Sequence, residues 1–256
     1  MGASSAIEWT DATWNPVTGC DKISPGCKFC YAERLAARLQ RMGNPRYANG
    51  FRVTLHEDQL PLPLRWRDPR RVFVNSMSDL FHEGVPLPFI DRVFDVMRRA
   101  RQHTFQVLTK RPERLVHWSR AGARPIPENV WIGVSVESSP YAWRVDTLRQ
   151  VDIRTRFISA EPLLGSLATV DLSGIAWVIT GGESVGSPGR ALVEHVDGAW
   201  RPKPEAIRWV REIRDRCAAT GVAFFHKQWG GPRPRAAGRR VDGFEYSQYP
   251  ARLTGA

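Results

Sequence analysis

Six short apolar runs, each passing into polar or charged residues, constrain this fold more than any other feature. Arg71-Val-Phe-Val74 leads into Asn75-Ser76-Met77-Ser78-Asp79, and Thr104-Phe-Gln-Val-Leu108 into Thr109-Lys110-Arg111. Val130-Trp-Ile-Gly-Val134 leads into Ser135-Val136-Glu137, and Arg156-Phe-Ile158 into Ser159-Ala160-Glu161. Ile175-Ala-Trp-Val-Ile179 leads into Thr180-Gly181-Gly182-Glu183, and Val222-Ala-Phe-Phe225 into His226-Lys227. Helix-like segments stand between them: Pro88–Met97, Pro112–Trp118, Tyr141–Leu148 and Pro204–Cys217. Short buried strands alternating with helices predict an α/β protein with a parallel sheet. Polar strand exits suit a closed or partial barrel, whose chemistry sits at the carboxyl ends of its strands. A doubly wound open sheet obeys a related rule at its switch point. A further strand over Trp14–Thr18 brings the count near seven.

Ten Trp, eleven Phe and five Tyr supply a core and exclude a disordered chain. No apolar run approaches the roughly 20 residues of a membrane span, and the first residues lack a secretory signal, so the expected setting is the reducing cytoplasm. The spacing predicts one barrel domain over 1–230, with a loop or cap at 42–70 and a basic tail over 231–256. The net charge of +11 and pI of about 10.1 point to a polyanion, nucleic acid above all, or reflect a compositional preference for Arg over Lys. After the cysteines the chain reads as a helix with Leu35, Leu39 and Met42 on one face and Arg34, Arg38 and Arg41 on another. These arginines, with Arg111, are the candidate nucleic-acid contacts.

Cys20, Cys27 and Cys30 lie in Cys20-Asp-Lys-Ile-Ser-Pro-Gly-Cys27-Lys-Phe-Cys30. An odd cluster of thiols is no disulfide framework; at this density thiolates hold a soft metal or an iron–sulfur cluster. A structural zinc would need a fourth ligand from elsewhere, Cys217 or a histidine. Cys217 shares helical spacing with Ile207, Val210 and Ile213, which predicts a core position. A 4Fe–4S cluster on three cysteines leaves one iron open for S-adenosylmethionine.

Cys27-Lys-Phe29-Cys30-Tyr31 resembles the second half of the radical S-adenosylmethionine signature, though the first gap here is six residues rather than three. Gly19-Cys20, Gly26-Cys27, Cys30-Tyr31-Ala32 and Thr109-Lys110 resemble the spore photoproduct lyase side of that superfamily. The whole chain resembles a phage-associated three-cysteine-motif family, through Trp9 to Pro16, Asn75 to Phe81, Leu108 to Pro112 and Trp229-Gly230-Gly231. The resemblance implies a partial (β/α)6 TIM-like barrel of radical-SAM type, with the cluster on Cys20, Cys27 and Cys30. It also implies S-adenosylmethionine held by Asn75, Ser76, Ser78, Asp79, Lys110, Ser135, Glu137 and Glu161. Lys110 at its strand exit can pair with a cofactor carboxylate or a substrate phosphate, or be a surface charge. Gly181-Gly182-Glu183 looks like the superfamily's Gly-Gly-Glu motif but follows a late strand, so its role is not transferred. These three residues and Lys227 are expected near substrate or cofactor.

The expected function is a radical S-adenosylmethionine enzyme acting on nucleic acid by base modification or repair. An electron donor of flavodoxin or ferredoxin type is expected, and a partner protein is allowed for. Two alternatives stand beside it: a non-catalytic nucleic-acid-binding protein with a structural zinc or iron–sulfur site, and a divalent-metal phosphodiesterase or nuclease using Asp79, Glu137, Glu161, Glu183 and His226.

Overall fold

The computed structural model describes residues 5–122, 124–183, 190–233 and 235–251. Ser184 and tail residues 234 and 252–256 lie outside them. The chain forms two compact units, residues 1–134 with 146–154, and residues 135–145 with 155–256.

The first unit opens with β1 (Ala12–Trp14) and β2 (Val17–Thr18). The single strand expected over Trp14–Thr18 is therefore two. Pro16 has no N–H for a ladder, and the Asn15 side chain is turned to receive Met77 N at 3.0 Å. Helix α1 (Tyr31–Arg41) follows the cysteines, and β3 (Thr54–Leu55) pairs antiparallel with β2. The segment expected as a loop or cap at 42–70 holds β3 and short 3-10 turns at Pro45–Tyr47, Glu57–Gln59 and Leu62–Arg65. Then come β4 (Arg71–Val74), α2 (Leu87–Arg99), β5 (Thr104–Thr109), α3 (Pro112–Arg120) and β6 (Val130–Ser135). Helix α2 buries Phe89, Ile90, Val93, Phe94 and Met97, the three-and-four spacing of a single face. The rings of Phe81, Phe94 and Trp118 pack together beneath it.

Helix α1 corrects one expectation. Its buried residues are Ala32 and Ala36, which pack with Tyr47 and Met77, Leu39 joining at the margin. Leu35 is 37% exposed and Met42 68% exposed. Small side chains let the helix axis come close to its neighbours, so the alanine face wins over the leucine face.

The second unit carries β7 (Thr155–Ala160), β8 (Trp177–Gly181), an antiparallel hairpin of β9 (Val193–Val196) and β10 (Ala199–Pro202), α5 (Pro204–Thr220) and β11 (Ala223–Gln228). Helix α4 (Trp143–Arg149) follows β6 in the chain. Gly221, at φ +69°, stops α5 and returns its N–H to Cys217 O. Cys217 is fully buried, and burial pushes its thiol up to about 12. Residues 246–248 run beside β11: Tyr246 O accepts His226 N at 3.0 Å, and Gln248 N donates to Phe224 O at 3.1 Å.

The main sheet has seven strands in the order β1-β4-β5-β6-β7-β8-β11. β1 with β4, β4 with β5, β5 with β6, β7 with β8 and β8 with β11 all pair parallel. β6 and β8 are buried at every position, the pattern of a parallel sheet covered on both faces.

Candidate cofactor site

In the first unit the three cysteines are free and half-buried. Cys20 follows Gly19, at φ +86°. A Cβ on Gly19 would lie 2.2 Å from Arg52 O, so only glycine lets the chain pass. Cys27 ends a 3-10 turn begun at Pro25, and Cys30 is the residue before the first turn of α1. Burial and the Asp79 carboxylate push the Cys20 thiol up to about 11, against the opposing charge of Arg111. Burial acts upward on Cys27 too, but the charge of Lys110 and hydrogen bonds from Ile23 and Ser24 outweigh it, and Cys27 is lowered. Cys20 feels the charge of Cys27, and Lys22 feels both Cys27 and Cys30, so the thiols share one neighbourhood. Among the described residues, no three His, Cys, Asp or Glu side chains converge on one metal-ion position.

Two sequence motifs hold each other beside these thiols. Asn15 Oδ1 accepts Met77 N at 3.0 Å and Ser76 Oγ at 3.2 Å. Asn75 takes a left-handed turn at φ +60° and accepts Val17 N through Oδ1, while its Nδ2 is buried without a partner among the described residues. Ser78 Oγ donates to Val17 O at 2.9 Å. Met77 O receives Gly19 N at 3.0 Å, and Ser76 O receives the Tyr31 hydroxyl at 2.5 Å.

Asp79 is a brace. Its Oδ1 accepts Thr109 Oγ1 at 2.8 Å and Phe81 N at 3.0 Å; its Oδ2 accepts Lys110 N at 2.9 Å and Arg111 Nη1 at 3.4 Å. Arg111, expected to face nucleic acid, is turned inward onto Asp79 and Cys20, whereas Arg34, Arg38 and Arg41 are exposed. His82 was not singled out by sequence reasoning. Its Nδ1 accepts Gly84 N at 2.9 Å, so Nε2 carries the proton and donates to Asp21 Oδ2 at 2.9 Å, beside Cys20. The only signal in the sequence was a polar residue just beyond the Asn75–Asp79 exit.

In the second unit, Glu137 and Arg144 form a buried pair at 2.8 Å. Arg144 also donates to Ser135 O at 2.8 Å and lies over the Tyr141 ring at 4.4 Å. Ser135 Oγ is buried without a partner among the described residues. Glu161 pairs with Lys227 at 2.9 Å, and Gly181 leaves room for it, since a Cβ there would lie 3.3 Å from Glu161 Cγ. Glu183 accepts both Nη2 and Nε of Arg190, at 2.6 and 3.1 Å. His226 is buried with Nδ1 2.9 Å from Thr180 Oγ1, its Nε2 unpartnered among the described residues and its ring against Trp229. Burial, with Arg239 adding to it, lowers His226 to about 3.

Asp79, Glu137, Glu161 and Glu183 are thus each paired with a cation, and a divalent ion would compete with an arginine or lysine at every one. Gly182 and Gly230 explain two more motifs. A Cβ on Gly182 would lie 2.2 Å from Trp229 O, and one on Gly230 2.8 Å from Glu183 O, so Gly181-Gly182-Glu183 and Trp229-Gly230-Gly231 meet backbone to backbone. Gly182→Ala is expected to destabilise the protein by about 1–3 kcal/mol, the usual range for overpacking. A urea midpoint equal to that of the wild type would contradict the close approach.

The parallel strands define an α/β protein, and its half-barrel fold is similar to that of spore photoproduct lyase. A solved structure of that lyase, doubly substituted, with bound AdoMet and dinucleoside spore photoproduct, is similar at a TM-score of 0.52 and 10% identity, covering 84% of this chain and 75% of its own. A second, complexed with dinucleoside spore photoproduct, gives 0.45 and 12%, covering 82% of this chain and 74% of its own. The chain belongs to the family described as "Protein of unknown function (DUF5131)", whose model matches residues 4–250. Among curated proteins no match is found. No helix of the described residues is long and apolar enough to cross a membrane.

Proposed function

We propose that this protein is a radical S-adenosylmethionine enzyme that modifies or repairs a base in nucleic acid, with a 4Fe–4S cluster on Cys20, Cys27 and Cys30. The observation that carries the reading is the group of three free, half-buried thiols in one neighbourhood, with Lys22, Lys110 and Arg111 around them. These donors fit the group. A thiolate-ligated cluster is anionic and gains from nearby cations, and it takes one thiolate per iron, so the sulfurs need not converge on a single point. The half-barrel fold shared with a lyase solved with AdoMet supports it. The kinship with three-cysteine-motif phage proteins belongs to the same proposal.

When bound and reduced by one electron, S-adenosylmethionine supplies a carbon radical that can take a hydrogen atom from a substrate; the protein binds, orients and excludes water. Asn75 Nδ2 in the first unit and Ser135 Oγ in the second are each a buried polar atom able to bond a polar group. Ser76, Ser78, Lys110 and Glu161 join them as proposed cofactor residues. Asp79 and Glu137 act through Arg111 and Arg144, as braces of their strand exits. Gly181, Gly182, Glu183 and Lys227 are proposed for the vicinity of substrate or cofactor. The charge of +11 and the exposed Arg34, Arg38 and Arg41 support a nucleic-acid substrate. The enzyme domain is proposed to span 1–230, with the basic C-terminal residues 231–256 returning along β11 at residues 246–248, in the cytoplasm, with a flavodoxin- or ferredoxin-type donor.

Anaerobic reconstitution tests this. The wild type is expected to bind about four irons and four sulfides per chain, and Cys27→Ala to lose most of both. With dithionite, only the loaded wild type should cleave S-adenosylmethionine. One zinc per chain and no iron would overturn the reading in favour of a binding module.

A further inference from the structure

We propose that Arg111 is a positioning residue that sets the reduction potential of the cluster, by donating a charged hydrogen bond to the sulfur of Cys20; this rests on the enzyme reading above. Arg111 Nη1 lies 3.5 Å from Cys20 Sγ and 3.4 Å from Asp79 Oδ2, and Nη2 lies 3.4 Å from Asp21 O. Its backbone is fixed too, since Arg111 N donates to Thr109 Oγ1 at 2.9 Å, and α3 begins at Pro112. The side chain is only 11% exposed, so water screens its charge weakly. A guanidinium keeps its proton at every working pH and carries several donors in a rigid fork. Nη1 carries two hydrogens, one for the thiolate and one for the carboxylate, while Nη2 reaches Asp21 O; the single nitrogen of a lysine could not hold all three partners in the same geometry.

The consequence follows from charge. Reduction adds one electron to the cluster, from an external low-potential one-electron donor, and no proton is taken up. The reduced cluster is more negative by one charge, spread in part over its cysteine sulfurs. A cation and an N–H donor at Cys20 stabilise that form more than the oxidised one, and hydrogen bonds to the sulfurs are a recognised means of tuning potential. Asp79 holds the fork in place, and its own charge offsets part of the effect.

Arg111→Gln keeps a polar side chain and removes the charge. It is expected to lower the equilibrium constant for one-electron reduction about tenfold, which for a single electron is about 59 mV. Arg111→Lys keeps the charge but not the fork and is expected to fall between. Both are compared with the wild type after iron and sulfide analysis. Each is titrated electrochemically without S-adenosylmethionine, the reduced cluster being read by electron paramagnetic resonance. Equal constants in loaded wild type and loaded variants overturn this inference alone. If Arg111→Gln holds no cluster, Arg111→Lys decides: a drop of about threefold or more supports the inference, and none overturns it. A wild type that holds no cluster overturns the enzyme reading and the inference with it.

Discussion

Arg144→Met is expected to cost about 3–5 kcal/mol of folding stability, because it leaves Glu137 charged, buried and without its guanidinium. The pair is inaccessible on both sides, with side chains 2% and 0% exposed. Arg144 Nη1 also donates to Ser135 O, so its loss frees a buried carbonyl as well. Part of the cost is packing, since the guanidinium covers the Tyr141 ring. The double variant Arg144→Met, Glu137→Leu separates these effects. Removing both charges together is expected to recover at least half of the loss, as buried pairs exchanged for apolar residues often do. Urea unfolding of the two variants against the wild type is the measurement. A loss below about 1 kcal/mol in the single variant would mean that Glu137 is held by other partners or by water.

His226 sets the second large expectation, a dependence of stability on pH. Its folded value is about 3, far below the ordinary 6.5, because the ring is fully buried and Arg239 stands near. Above pH 6.5 the imidazole is neutral in both folded and unfolded chains and stability is whole. Below it the unfolded chain takes up a proton that the folded chain refuses. Stability then falls as pH drops, by up to about 1.4 kcal/mol per unit, until the folded ring is protonated near pH 3. The full span is about 4–5 kcal/mol, with the carboxylates adding their own titrations at its acid end. His226→Gln keeps a group able to bond Thr180 and does not titrate. Its stability is expected to change less steeply between pH 6.5 and 4.5 than that of the wild type. Parallel curves for the two proteins would show that His226 is hydrated after all.

The sheet was legible because its central strands, β6 and β8 above all, are buried throughout and read as near-continuous apolar runs, and because the exits change character at once. The cysteine group was legible from spacing alone. The partners of the strand-exit acids were not: nothing in the sequence distinguishes Arg144 or Arg190 from the other arginines, and the choice is made by packing. The inward turn of Arg111 was hidden for the same reason. Helix α1 was read by its largest apolar residues, yet close packing chose Ala32 and Ala36. The hairpin of β9 and β10 was missed although Asp197-Gly198 between two short runs is a strong turn signal; both residues have positive φ, as a tight hairpin turn requires. Pro16 should have ended the first strand on its own chemistry.

Both ends of the cysteine loop are tied to a single stretch of backbone, Gly19 N to Met77 O and the Tyr31 hydroxyl to Ser76 O. Bringing together the ends of a flexible loop of about a dozen residues costs on the order of 2 kcal/mol in chain entropy. Here that ordering is accomplished by hydrogen bonds within the polypeptide, so it belongs to folding and needs no bound group. Binding of the proposed cluster would then be an association with a loop whose ends are already held, unlike small zinc domains that are unfolded without metal. If the proposed cluster is bound there, its removal by a chelator would leave the loop ordered, and rebuilding it would call for iron and sulfide with no second round of folding.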